Sequence, residues 1–139
     1  MTIDSPLADP PGLRRVTLHL ARSAGFPNGS DMHGYEILMP LDEQGHLDPA
    51  ILHGRPHRCR VHRFWAGEPD RIAWLSHRPG GVGGAHWVID YDERRADDDE
   101  DGYRFDTHAF IPGEYVTIRH GREEHTFRVA AVEEVPALD

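Results

Sequence analysis

The chain has 139 residues, which is the length of one domain of ordinary size. Its 15 basic residues are all arginines, and the absence of lysine excludes Schiff-base chemistry and the P-loop type of phosphate site. A single cysteine, Cys59, excludes an internal disulfide. The formal net charge of −9 argues against general nucleic-acid binding, because neutralising phosphates requires a positive field.

The order of residue types predicts one β domain over residues 14–135, with a flexible N-terminal arm at 1–13 and a C-terminal tail at 136–139. The arm is rich in proline and lacks the cationic start and apolar run of a signal peptide. No stretch of the chain approaches 18 apolar residues, so no membrane span is predicted. With one cysteine and no visible export signal, we expect a cytoplasmic location.

Alternation of apolar and polar residues predicts β-strands along most of the chain. The pattern is clear from Val16 to Leu20, from Tyr35 to Leu41 and from Tyr103 to Thr107. One short helix is predicted over residues 48–54, where an aspartate cap and a proline precede a terminal glycine. Seven or eight short strands with one short helix indicate an all-β fold, either a single antiparallel barrel or a sandwich.

Positive charge is concentrated between Arg55 and Arg63, where four arginines and two histidines occur without an acid. Guanidinium groups bind carboxylates and phosphates through paired hydrogen bonds, and a following aromatic residue adds a stacking surface. The candidate ligand-binding residues are Arg55, His57, Arg58, Arg60, Arg63 and Trp65. The alternative is that these arginines pair with the protein's own acids or lie along a solvated sheet face.

Histidines form a second candidate site. The sequence PGGVGG at 79–84 predicts a hairpin loop, and symmetric closure of that loop places His77 opposite His86. Two adjacent imidazoles can share a metal ion when a third ligand, such as His108 or Asp90, is nearby. The candidate metal ligands are therefore His77, His86 and His108. The alternative is a pair of exposed histidines at the mouth of a loop.

The symmetric hairpin also predicts which side chains share a face of the sheet. Trp74 is expected beside Ile89, with Trp87 on the same face as Trp74. Because side chains alternate along a strand, a shift of one residue in the pairing would move each of them to the other face.

Residues Asp97 to Asp101 are five consecutive acids followed by Gly102. The spacing matches the start of a calcium-binding loop, in which alternate carboxylates and a glycine turn surround the cation. The twelfth position, where a glutamate is needed, is His108, and strands flank the segment. We therefore predict a solvated acidic loop and no cofactor.

The segment Phe110 to Ile118, FIPGEYVTI, resembles the proline-glycine turn that enters a strand in the flavin-binding barrels of ferredoxin reductases. The resemblance covers nine residues, and the Arg-x-Tyr-Ser flavin signature does not follow them. It implies a barrel corner, and no function is transferred with it.

These patterns lead to two hypotheses of function. The first is a small, non-enzymatic binding or interaction module that holds an anionic small molecule or an acidic protein partner through the Arg55–Trp65 strand. The second is a metal-binding protein or metal-dependent enzyme centred on the histidines. If the sheet does not close, pairing of its exposed edges provides a route to a homodimer.

Overall fold

A computed structural model of the chain describes residues 13–52, 59–78, 86–91, 100–103, 105, 107–120 and 122–135, with backbone alone at 86, 101–103 and 120. Of the predicted site, Arg55, His57 and Arg58 lie outside the described residues, as do Asp97 to Asp99. So do residues 1–12 of the predicted arm at 1–13 and the predicted tail at 136–139, whereas Leu13 begins the first strand. Within the described residues, no helix is long and apolar enough to cross a membrane.

The predicted all-β class is confirmed, and of its two alternatives the structure is the barrel. The strands are β1 (Leu13–Leu20), β2 (Ser30–Pro40), β3 (Arg60–Trp65), β4 (Glu68–Arg78), β5 (His86–Asp90), β6 (Glu100–Tyr103), β7 (Tyr115–His120) and β8 (Glu123–Glu134). Each strand pairs antiparallel with its neighbour in sequence, and β8 pairs with β1 to close the sheet. A closed sheet removes the premise of the predicted edge-to-edge dimer, because the described strands leave no open edge.

Alternate side chains of each strand fill the inside of the barrel. Val16 and Leu18 of β1 and Ile37 and Met39 of β2 are completely buried, as their alternation in sequence predicts. An eight-stranded barrel has an interior just wide enough to be filled by side chains or to hold one small ligand. The barrel therefore has a single core, and any space that the side chains leave inside it could hold a small ligand.

The predicted register of the β4–β5 hairpin is wrong by one residue. His77 pairs with Trp87, and Arg78 pairs with His86. Trp74 consequently pairs with Asp90 on the outside of the barrel, whereas Trp87 is buried inside it. The two tryptophans lie on opposite faces because a shift of one residue in the pairing moves each side chain of one strand relative to the faces of the other.

The strand predicted from Tyr103 to Thr107 begins and ends earlier than expected. It spans Glu100–Tyr103, so the last acids of the predicted solvated loop belong to β6. Glu100 pairs with Ile89 and is buried on the inner face, with 4% of its surface exposed. Phe105 lies in a turn but is still part of the core. The prediction of a solvated loop is therefore wrong at Glu100.

The two ends of the barrel differ in chemistry. At the end where β2 and β6 finish, apolar residues close the interior: Leu41, Leu47, Leu52, Phe105 and Phe110 are all buried. The predicted short helix lies here as a single 3₁₀ turn, Pro49–Leu52, capped by the Asp48 carboxylate, which accepts a hydrogen bond from the Ala50 N–H at 3.0 Å. The opposite end, where β3 finishes and β4 begins, is polar, and we call it the open mouth.

Gly34 permits the close approach of three strands beside the open mouth. It pairs with His19 of β1 and with Phe64 of β3. A Cβ atom at position 34 would lie 1.9 Å from the Leu18 carbonyl oxygen and 3.1 Å from the Phe64 ring. Glycine is therefore required at this position by the packing of backbone against backbone.

We expect Gly34→Ala to lower the free energy of unfolding by about 1–3 kcal/mol, because the added methyl group forces β1 and β2 apart. Urea denaturation followed by tryptophan fluorescence measures the change. Asp31→Ala, at an exposed position of the same strand, is the control and should change stability by less than about 0.5 kcal/mol. Equal stability of the two variants would show that Gly34 is not a packing requirement.

Candidate functional site

The predicted arginine strand is divided between the two faces of the sheet. Val61 is buried inside the barrel, so Arg63 and Trp65, which lie two and four residues further along the strand, also face inward. Arg60 lies on the outer face and is exposed. The described members of the predicted ligand-binding set therefore belong to two different surfaces, and only Arg63 and Trp65 reach the open mouth.

A buried carboxylate lies at the centre of the open mouth. The Oε1 atom of Glu100 accepts hydrogen bonds from the Tyr35 hydroxyl at 2.9 Å and from the Tyr91 hydroxyl at 2.5 Å. Burial, together with the charge of Glu100, raises the pKa of both tyrosines above their ordinary range. They therefore remain hydrogen-bond donors, and the carboxylate is held by protein groups in place of water.

Arg63 balances the charge of this carboxylate. Its Nε atom lies 3.9 Å from Glu100 Oε2, and its Nη1 atom donates a hydrogen bond to Glu68 Oε1 at 3.3 Å. The guanidinium carbon lies 4.6 Å from the centre of the Trp65 ring, in a cation–π arrangement. Burial opposes the charged form of Arg63, but Tyr35 and Glu100 outweigh it and raise its pKa. Among the described residues, the buried Nε atom has no hydrogen-bond partner.

Arg71 brings a second guanidinium to the open mouth. A tight turn at Ala66–Gly67, with Gly67 at φ +86°, lets β4 fold back on β3, and a register shift between Arg63 and Trp65 then sets Arg71 opposite Arg63. The Arg71 guanidinium carbon lies 3.9 Å from the centre of the Tyr91 ring. No hydrogen bond or ion pair to Arg71 occurs among the described residues. It is the cation of this region that retains its capacity to bind a ligand.

Aromatic rings support the mouth from one side. The Trp65 ring lies 4.7 Å from His33 and 5.2 Å from His125, measured between ring centres. The cavity that remains has a volume of about 230 Å³. It is lined by Tyr35, Arg63, Glu68, Arg71, Glu100, Ile118, Glu123 and His125. Charged groups on an aromatic floor thus surround a space of small-molecule size.

Sequence reasoning placed neither Glu100 nor Arg71 in a site. Glu100 sits in an acidic run, whose composition indicates a solvated segment. The pair Ala66–Gly67 is a two-residue hairpin turn, and counting outward from it sets Arg63 opposite Asp70. A register shift between Arg63 and Trp65 moves the pairing by one residue and puts Arg71 opposite Arg63, so the sequence alone does not give this cross-strand pair.

Of the predicted metal ligands His77, His86 and His108, the side chain of His86 lies outside the part of the chain that the structure describes. The His77 ring packs against Trp87, with ring centres 4.7 Å apart. Among the described residues, no group of three or more histidine, cysteine, aspartate and glutamate side chains, His108 included, is placed to hold a metal ion.

Burial raises the pKa of the Cys59 thiol to about 12, so this thiol is not activated as a nucleophile.

On the outer face, His62 bridges two carboxylates. Its Nε2 atom lies 2.8 Å from Asp70 Oδ2, and its Nδ1 atom lies 3.3 Å from Glu36 Oε1. The carboxylates therefore sit on opposite edges of one imidazole and cannot converge with it on a single metal ion. The hydrogen bond to Asp70, with a smaller contribution from Glu36, raises the pKa of His62 despite partial burial. This bridge is a pH-dependent tie between β2, β3 and β4.

Comparisons of the chain with known protein families, with curated proteins and with solved structures find no significant match.

Removing one tyrosine hydroxyl from the Glu100 cluster should destabilise the fold, because the buried carboxylate loses one of its hydrogen-bond donors. We expect Tyr35→Phe and Tyr91→Phe each to lower the free energy of unfolding by about 1.5–3 kcal/mol. Tyr115→Phe, at an exposed ring, is the matched control, with a change below about 0.5 kcal/mol. Urea denaturation provides the values, and two Phe variants as stable as the control would refute the role given to the cluster.

His62 should make stability depend on pH in a defined direction. Its pKa is raised in the folded protein, so its stabilising effect is complete below the ordinary value of about 6.5 and is lost as pH rises through the native pKa. We expect His62→Asn to melt below the unmodified protein in mildly acidic buffer, with the difference shrinking towards about pH 8. Asp70→Asn should show the same trend. A difference in melting temperature that is constant over this range would contradict the assignment.

Proposed function

We propose that this protein is a small, non-enzymatic binding module that holds an anionic small molecule in the open mouth of its barrel. The observation that carries the proposal is Arg71. Its guanidinium is fixed over the Tyr91 ring, opposite Arg63, and has no ion pair among the described residues. Guanidinium groups present paired N–H donors that match a carboxylate, so a ligand anion supplies the partner that the protein does not.

The other charges of the mouth support an anionic ligand. The three carboxylates of the lining are already engaged: Glu100 with the tyrosines, Glu68 with Arg63, and Glu123 with His125, whose Nε2 atom lies 3.7 Å from the carboxylate. A cationic ligand would have to displace one of these contacts. An anion needs only the exposed face of Arg71.

The size of the cavity favours a small ligand over a protein partner. Its volume of about 230 Å³ is below the range of about 300–1,000 Å³ found for sites of drug-sized molecules. A short carboxylic acid fits this space, with its carboxylate on Arg71 and its apolar part against Ile118 and the Tyr35 ring. Closed barrels commonly bind ligands at their mouths, where a rigid wall holds the recognising groups.

We expect ¹⁵N-labelled protein titrated with acetate, succinate and benzoate to show saturable shifts of the Trp65 indole N–H for at least one of the three acids. Arg71→Gln should weaken that binding by about tenfold or more, because a charge-assisted contact is lost. Arg71→Lys should restore it only in part, since lysine keeps the charge without the planar fork.

Arg60→Gln is the matched control, since it removes the same charge from the outer face of the neighbouring strand. Its affinity for the acid should equal that of the unmodified protein. Equal losses in Arg60→Gln and Arg71→Gln would show that overall charge governs binding, and the mouth would then not be the site. Shifts caused by small ammonium ions but by none of the acids would reverse the proposed sign of the ligand.

A further inference from the structure

A second cavity lies outside the barrel, on the face formed by β7, β8 and β1. It is a groove of about 700 Å³ between the wall of the barrel and the loop of residues 21–29. Its lining is His19, Leu20, Ala21, Arg22, Asn28, Gly29, Ser30, Asp31, Tyr115, Thr126, Arg128 and Ala130. The open-mouth site shares none of these residues, so the groove is a separate feature of the molecule.

The barrel wall of the groove carries a row of side chains set by strand register. Tyr115 of β7 pairs with Arg128 of β8, and Arg128 pairs with His19 of β1. Directly paired side chains on one face are about 4.5–5.5 Å apart at Cβ, so the three groups form a continuous strip. The Tyr115 ring is 54% exposed, which is unusual for so large an aromatic side chain.

The charge of the groove is opposite to that of the protein. Arg22 and Arg128 both line it, and the one acid of the lining is Asp31. Neither arginine has an ion pair or a side-chain hydrogen bond among the described residues. In a chain of formal charge −9, two arginines that share a groove without partners point to an external anion.

The loop that forms the other wall is held in a fixed position. The N–H of Ala21 donates a hydrogen bond to the Thr126 carbonyl at 2.9 Å, and Ser23 and Phe26 pair through their backbones. Gly29 adopts φ +72°, and a Cβ atom there would lie 2.6 Å from the Leu20 carbonyl oxygen. The Phe26 ring packs on His33, with ring centres 4.8 Å apart. The groove is therefore formed before any ligand arrives.

We propose that this groove binds a nucleoside monophosphate. The phosphate lies between Arg22 and Arg128, where charge-assisted hydrogen bonds are strongest. The base stacks on the exposed face of Tyr115, which accepts any planar ring of this kind. Asp31 and Asn28 accept hydrogen bonds from the sugar hydroxyls or from the amino group of the base.

The choice of a mononucleotide over a nucleic-acid chain follows from charge and extent. The positive region is confined to one groove on a strongly acidic protein, whereas a polynucleotide needs a positive track for successive phosphates. The volume of about 700 Å³ is that of a site for one drug-sized molecule.

The test is a titration of the full chain, ¹⁵N-labelled, with adenosine monophosphate, uridine monophosphate, adenosine and inorganic phosphate as separate probes. We expect a monophosphate to shift the backbone amides of Tyr115, Arg128 and Gly29 in a saturable way and to bind at least about tenfold more tightly than phosphate or adenosine. Arg128→Gln should weaken binding of both the monophosphate and phosphate by about tenfold. Tyr115→Ser should weaken the monophosphate by about tenfold and leave phosphate unchanged.

Arg119→Gln is the matched control, because Arg119 lies on β7 near the groove but pairs with Glu124 at 3.1 Å and does not line the cavity. It should bind all probes as the unmodified protein does. The proposal is overturned if no probe shifts the groove amides, if a monophosphate binds no better than inorganic phosphate, or if a short single-stranded oligonucleotide binds far more tightly than either monophosphate. The result at the open mouth does not affect this outcome, since the carboxylate probes and Arg71 are absent from it.

Discussion

A carboxylate buried inside a barrel has to be paired, and the pairing of Glu100 organises the polar end of this molecule. Its two tyrosine partners come from β2 and from the residue after β5, and its arginine partner comes from β3. An unpaired charge at this depth would be strongly destabilising, so the elements that carry these groups are held together. The aromatic floor and the cavity exist because this cluster fills the space where an apolar core would otherwise continue.

The contrast between the two ends of the barrel is the basis of the proposal that the protein binds a ligand. The end with Phe105 and Phe110 is sealed by rings packed edge to face at 5.2 Å. The other end keeps a polar cavity and, among the described residues, an arginine with no ion pair. A protein selected for stability alone gains more from apolar packing, because replacing buried ion pairs by apolar side chains is often neutral or stabilising.

The two proposed sites depend on one rule, the alternation of side chains in a closed sheet, but they use opposite faces. Inward positions of β3 and β4 supply Arg63 and Arg71, and outward positions of β8 and β1 supply Arg128 and His19. The two sites therefore share no lining residue, and substitutions at one leave the lining of the other intact.

The sequence by itself determined the fold class, the inward-facing residues of β1 and β2 and the short capped turn Pro49–Leu52. Each of these depends on local periodicity or on local hydrogen bonding. Tertiary structure decided which strands face each other and in what register. The β4–β5 pairing differed by one residue from the symmetric prediction, and that single step separated Trp74 from Trp87. Tertiary structure also placed Glu100, which belongs to an acidic run in the sequence, within hydrogen-bond distance of two tyrosines. Such placements depend on residues far apart in the chain, and no local pattern contains them.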